Sequence, residues 1–233
     1  MGRQIKGSLY FFINNTRYSL FIFWTILMSI LVVTLTISYF LKDVENGFMT
    51  LSLTSPIYVY CGILGFLTVK ESIPFSIKMG ATRKNLFLSL GIFFLGLSLA
   101  KAVFATVIQI IVDFINPKIG IDNYSFIHLA YFTNDTWLNR ILIDSSIAFF
   151  FLSVMFVIGL LFYRYGLAGG GSVVGLLVII MLTGIAQGWL IDFFIHVFKT
   201  LSNVFYYQLF GVGVVIYCMS WLMLRRITII KVN

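Results

Sequence analysis

Six runs of about 20 nearly unbroken apolar residues recur along the chain, near 18–41, 48–69, 86–112, 141–163, 167–189 and 203–224, and they constrain its fold more than any motif does. A helix needs roughly 20 such residues to cross about 30 Å of hydrocarbon, and within that layer its backbone groups must pair inside the segment. Hydrophobic residues fill 60% of the 233 positions and charged ones 10%, which leaves too little polar surface for a water-soluble domain of this size. The expectation is an all-α integral membrane protein of one domain. It would have an N-terminal segment 1–17, a six-span bundle over 18–224 and a tail over 225–233.

The first run follows Arg3, Lys6 and Arg17, as a secretory leader would, but it is too long for one and "YFLKDVENG" offers no small-residue cleavage site. It is read as a retained span. Before it, Ile5, Leu9, Phe12 and Ile13 recur at helical spacing with Arg3, Lys6 and Asn14 elsewhere around the turn, which predicts a helix lying in the interface. With the N-terminus in the cytoplasm, eleven cations fall on inner segments: Arg3, Lys6, Arg17, Lys70, Lys78, Arg83, Lys84, Arg164, Arg225, Arg226 and Lys231. Only Lys42, Lys118, Arg140 and Lys199 fall outside. The positive-inside rule then puts both termini in the cytoplasm of a multi-pass plasma-membrane protein, and composition suggests a bacterial one. The net charge of +8 is accordingly assigned to orientation and anionic headgroups, with no nucleic-acid partner.

Catalytic and metal chemistry find little support. Cys61 and Cys218 lie inside spans with no C-x-x-C, and His128 and His196 are far apart with no ligand spacing around them. The glycine-rich "GLAGGGSVVGLL" (166–177) lacks the Lys and Ser/Thr of a phosphate-binding loop. Its Gly166 with Gly170, Gly171 with Gly175, and further on Gly184 with Gly188, have the spacing of close helix packing instead. Trp24, Tyr39, Tyr163, Trp189 and Trp221 are expected near span ends as interfacial anchors.

The densest basic cluster is "KMGATRKNLF" (78–87), between spans 2 and 3. Pro74 suits the first turn of a helix and Gly80 a left-handed stop, predicting a two-turn helix over 73–79 that contains Phe75 and Lys78. Thr82 suits the cap of the next helix, which would launch span 3 at Arg83 or Lys84. Cations in that first turn oppose the helix dipole by about 0.3–1 kcal/mol each. Either lipid headgroups or a carboxylate on a cytoplasmic partner would compensate them.

Six spans, inner termini and the Gly80, Thr82, Arg83 element of "MGATRKNLF" resemble the ABC type-2 permeases. That resemblance implies an exporter subunit without enzymatic activity of its own. Residues 1–17 would be a connecting helix, and Pro74, Phe75, Lys78, Gly80, Thr82, Arg83 and Lys84 would be a coupling element docking on a separate ATPase. ATP and Mg would sit on that partner, present in two copies, and a second permease chain, identical or related, would complete the path. The implied cargo is hydrophobic or amphipathic: a peptide, an antimicrobial or a lipid-like molecule. A non-transporting membrane anchor or sensor and an intramembrane enzyme are the alternatives.

Within the spans, Lys101 is expected in the outer half of the bilayer, where an isolated ammonium costs at least about 2.5 kcal/mol. Asp144 lies within plausible reach, and Gln109 and Gln187 belong to the same half. Two readings stand: a structural Lys101–Asp144 bridge, or a wet path lined by these four. "LIDFFIHVFKTL" (190–201) predicts a short helix in the outer leaflet, and the outer segment 113–140 has no assigned role.

Overall fold

The computed structural model describes residues 2–44, 47–199 and 201–225, and of 198 and 199 the backbone only. The chain is helical almost throughout. Helices α1 (Gly2–Phe40), α2 (Thr54–Lys78), α3 (Arg83–Ile119), α4 (Trp137–Ala186), α5 (Trp189–Lys199) and α6 (Asn203–Leu224) are joined by two short strands, β1 (Met49–Leu51) and β2 (Tyr124–Phe126), and a 3₁₀ turn over Leu129–Phe132. Four of the helices, α1, α3, α4 and α6, are long and apolar enough to cross a membrane. Helix α2 is not among them, because its last third carries Lys70, Glu71 and Lys78.

Three predicted boundaries change. Residues 2–17 of the N-terminal segment and span 1 form one continuous helix, because Phe12 and Thr16 are buried and the Phe12 ring packs 5.6 Å from that of Phe93. Its N-terminal turns join the bundle instead of lying apart from it. Span 2 and the helix expected over 73–79 are likewise one, since α2 runs through Pro74 to Lys78. Burial of Val69, Ser72, Ile73 and Ser76 carries the helix past the backbone bond that the proline removes. Residues 49–51, expected to open span 2, form a strand instead.

Helix α4 is the hub. Gly166 adopts φ 69° and ψ −169° and bends it into limbs 137–165 and 167–186. Phe149, Leu152, Phe156 and Leu160 on the first limb are buried among α2, α3 and α6. Phe156 meets Phe94 of α3 edge-on at 5.4 Å and Tyr217 of α6 at 6.0 Å. The second limb is different, with Leu176, Ile179, Ile180, Met181 and Leu182 all exposed. A helix apolar all round needs a non-aqueous neighbour.

Contacts define two ends. At one, here the hinge end, the α2–α3 turn meets the start of α1 through Asn85 and Gln4 and the end of α6 through Arg83 and Arg225. At the other, the cap end, β1 pairs in parallel with β2 in the register Met49–Tyr124, Thr50–Ser125, Leu51–Phe126. The Asn123 amide donates to the carbonyls of Ser38 and Gly47, tying α1 to this cap. Segment 113–140, unassigned from sequence, is thus the last turns of α3, the cap itself and the first turn of α4.

Candidate functional site

The hinge is built much as its residues dictate. Met79 and Gly80 close the end of α2, with Gly80 at φ 81° and the Ala81 N–H donating to the Ser76 carbonyl at 3.0 Å. Thr82 is extended and its hydroxyl accepts from the Asn85 N–H at 3.3 Å, capping α3. Lys78, Met79, Thr82, Arg83 and Lys84 are exposed, Phe75 is 43% exposed, and Pro74 is half-buried. The Phe75 ring stacks on Phe11 at 4.3 Å, so the start of α1 braces the end of α2.

Arg83 is engaged within the chain. Its guanidinium donates to the Arg225 carbonyl just past α6, one of the carbonyls a helix end leaves unpaired. The electrostatic penalty at the positive end of α3 is therefore offset by the negative end of α6. Lys78 and Lys84 make no ion pair among the described residues.

A second polar cluster lies at the cap end. Asp144 is 3% exposed on the first limb of α4. The Tyr58 hydroxyl donates to its Oδ1 at 2.5 Å, and His128 Nε2 lies 3.1 Å from Oδ1 and 3.2 Å from Oδ2. His128 Nδ1 accepts the Ala130 N–H at 2.9 Å, which leaves the ring proton on Nε2, facing the carboxylate. Tyr206 of α6 is buried nearby, its hydroxyl without a hydrogen-bond partner among the described residues. Among the described residues, no group of three or more His, Cys, Asp or Glu is gathered as a metal set would require.

Beside it stands a clamp. Arg140 grips Asp135 with two parallel bonds, Nε to Oδ1 at 2.7 Å and Nη2 to Oδ2 at 2.8 Å. Its Nη1 donates to Gln109 Oε1 at 2.9 Å, and Asp113 lies 3.8 Å away. The Arg140 bonds hold the Asp135 carboxyl below the usual carboxylate range, against the opposing effect of burial.

The predicted Lys101–Asp144 pair is not made. Lys101 lies midway between the ends of α3, which continues to Ile119. Its ammonium sits 3.6 Å from the Tyr60 ring centroid and 4.3 Å from that of Phe23, with no hydrogen-bond partner among the described residues. Asp144 is held by Tyr58 and His128, Gln109 belongs to the Arg140 clamp, and Gln187 terminates α4 with its backbone N–H on the Thr183 carbonyl. The four residues do not line one path. His128 and Tyr58, which sequence reasoning passed over, complete the Asp144 site. The available signal was an acid inside a span, which demands a partner, and a histidine on the same side.

Glycines also change roles. Gly166 and Gly188 have positive φ, at the α4 bend and just after α4. Gly170 lies against the Phe162 ring and Gly184 against Trp189, both within the same stretch of chain, while Gly171 and Gly175 face open space. Close packing between helices occurs elsewhere: a Cβ at Gly65 would stand 2.5 Å from the Leu152 carbonyl, and one at Gly159 3.0 Å from that of Phe66. Trp24, expected at a span end, lies deep in α1 against Phe104 at 4.6 Å. No family model, curated protein or solved structure matches this chain.

Proposed function

We propose that this chain is the membrane-spanning permease subunit of an ATP-binding cassette exporter, driven by ATP hydrolysed on a separate pair of subunits. The observation that carries the reading is the hinge. A tight, glycine-stopped and threonine-capped turn joins two long helices and offers the exposed Lys78, Met79 and Lys84 beside Phe75. Force applied there would reach the first limb of α4 directly, because α2 and α3 both pack on it. Six crossings accord with the contacts between ends, since α6 begins near Asp144 at the cap end and the second limb of α4 must return the chain there. The hinge end would face the cytoplasm of a bacterial cell, and a second permease chain would cover the exposed second limb of α4.

One observation favours the rival reading of a non-transporting anchor: Arg83, the residue expected to meet an ATPase, is bound to α6. Lys84 separates the two readings, since it is exposed and makes no ion pair among the described residues. For an exporter, the purified chain captures an ATPase encoded beside it and raises its turnover. Lys84→Glu and Lys78→Glu weaken capture, and Arg83→Glu abolishes stimulation, with membrane insertion intact in all three. An anchor captures no ATPase, and none of the three substitutions alters the level of ATP hydrolysis.

A further inference from the structure

Lys101 belongs to a larger feature that neither the hinge nor the cap uses. Between α1 and α3 runs a groove of about 980 Å³, lined by Leu20, Trp24, Met28, Val32, Leu97 and Phe104 with Lys101 on its wall. That is the upper end of the roughly 300–1,000 Å³ typical of small-ligand sites. Apart from Lys101, the polar members of its wall are Thr25 and Ser29, whose hydroxyls are turned onto carbonyls of their own helix. The groove therefore presents hydrocarbon, with the covered Lys101 ammonium just behind its wall. Lys101 is 2% exposed, and the rings of Phe23 and Tyr60 satisfy it only through their faces. Such contacts leave its N–H donors unused.

We propose that the α1–α3 groove binds a single-chain carboxylic acid amphiphile, its carboxylate on Lys101 and its alkyl chain along Trp24, Met28 and Val32. Depth selects this occupant. Lys101 sits at the middle of a helix long and apolar enough to cross a membrane, and in such a crossing a phospholipid with its head fixed in the interface would not reach it with its phosphate. A carboxylic acid sheds its charge in hydrocarbon and can travel to that depth, whereas a phosphodiester stays charged. As a binding site the groove stands on its own geometry. As a cargo site it rests on the permease reading and gives it a substrate class.

The test uses Trp24 as reporter, in the full chain with Trp137, Trp189 and Trp221 changed to Phe. Titrating 9,10-dibromostearate into the protein in zwitterionic nanodiscs is expected to quench Trp24 saturably. The matched dibromostearyl alcohol, and dibromostearate with Lys101→Met, should each need at least tenfold more probe. Equal quenching by acid and alcohol, or by wild type and Lys101→Met, would overturn the proposal and leave the groove a lipid-facing surface. Absence of saturation, with a dimer trapped by cross-linking between α1 helices, would overturn it in favour of a second copy. Quenching by brominated phosphatidylglycerol that depends equally on Lys101 would overturn it in favour of an anionic bilayer lipid. Loss of the acid effect alongside intact ATPase coupling sinks this inference alone; the acid effect without any ATPase partner sinks the permease reading alone.

Discussion

Asp144 shows how one buried carboxylate organises its surroundings. It draws donors from two distant parts of the chain, Tyr58 of α2 and His128 of the cap. A hydrogen bond to a charged group is worth about 1.5–3 kcal/mol, and a charge left short of donors costs more than a neutral group would. Tyr58→Phe should therefore lower the thermal midpoint in detergent by several degrees, against no change for Tyr207→Phe, whose ring is exposed. Asp135 supplies the pH dependence. Its folded pKa is depressed by the Arg140 bonds, so the clamp adds stability above the ordinary aspartate value of about 4 and loses it as pH falls through the lower folded value. Acidification below pH about 4 is expected to speed hydrogen exchange at residues 129–139. Asp135→Asn should exchange fast at neutral pH already and respond less to acid.

Among the helices, the decisive contact is the approach of α2 to the first limb of α4, and two isolated glycines make it possible. Gly65→Val should prevent it, because the added carbon would fall against the Leu152 carbonyl, and backbone cannot swing aside as a side chain can. Gly171→Ala, in open space on a helix, should be neutral or stabilise by up to about 0.5–1 kcal/mol. Thermal melts of the two variants, and loss of monodisperse protein for the first, check this. The spacing motif does not single out the glycines that pack between helices of this chain, for a physical reason: four-residue repeats mark a smooth helix face but do not say what lies against it. Local chemistry was legible where it suffices. Gly80, Thr82 and the start of α3 follow from residues adjacent in sequence, and the short helix observed as Trp189–Lys199 from its length. What failed was long-range: the strand pair 49–51 with 124–126, Tyr58 with Asp144, and the burial of Phe12 and Ile73 that fuses elements the punctuation of Pro74 would separate.

At the scale of the molecule, the number of crossings rests on the second limb of α4. The start of α1, the hinge and the end of α6 share one end, while β1, β2 and the start of α6 share the other. The first limb runs toward the hinge end and α6 starts at the cap end, so the chain between them returns along the bundle, and the 20 residues of the second limb are long enough, at about 30 Å, to make that return as a crossing. Their exposure on nearly every side fits a span whose neighbours are lipid or another chain and fits no aqueous setting. With Cys61 and Cys218 changed to Ala, single cysteines at the exposed positions Lys6, Lys84, Lys42, Lys118 and Asp192 report sidedness to a membrane-impermeant thiol reagent. Positions 6 and 84 should react from one face and 42 and 118 from the other. If the limb crosses, 192 reacts with 42 and 118; if it lies along the surface, 192 reacts with 84 and the six-span topology is lost. Reaction of position 84 from outside intact cells would leave no route for a cytosolic ATPase to reach the hinge, and the permease reading would fall with it.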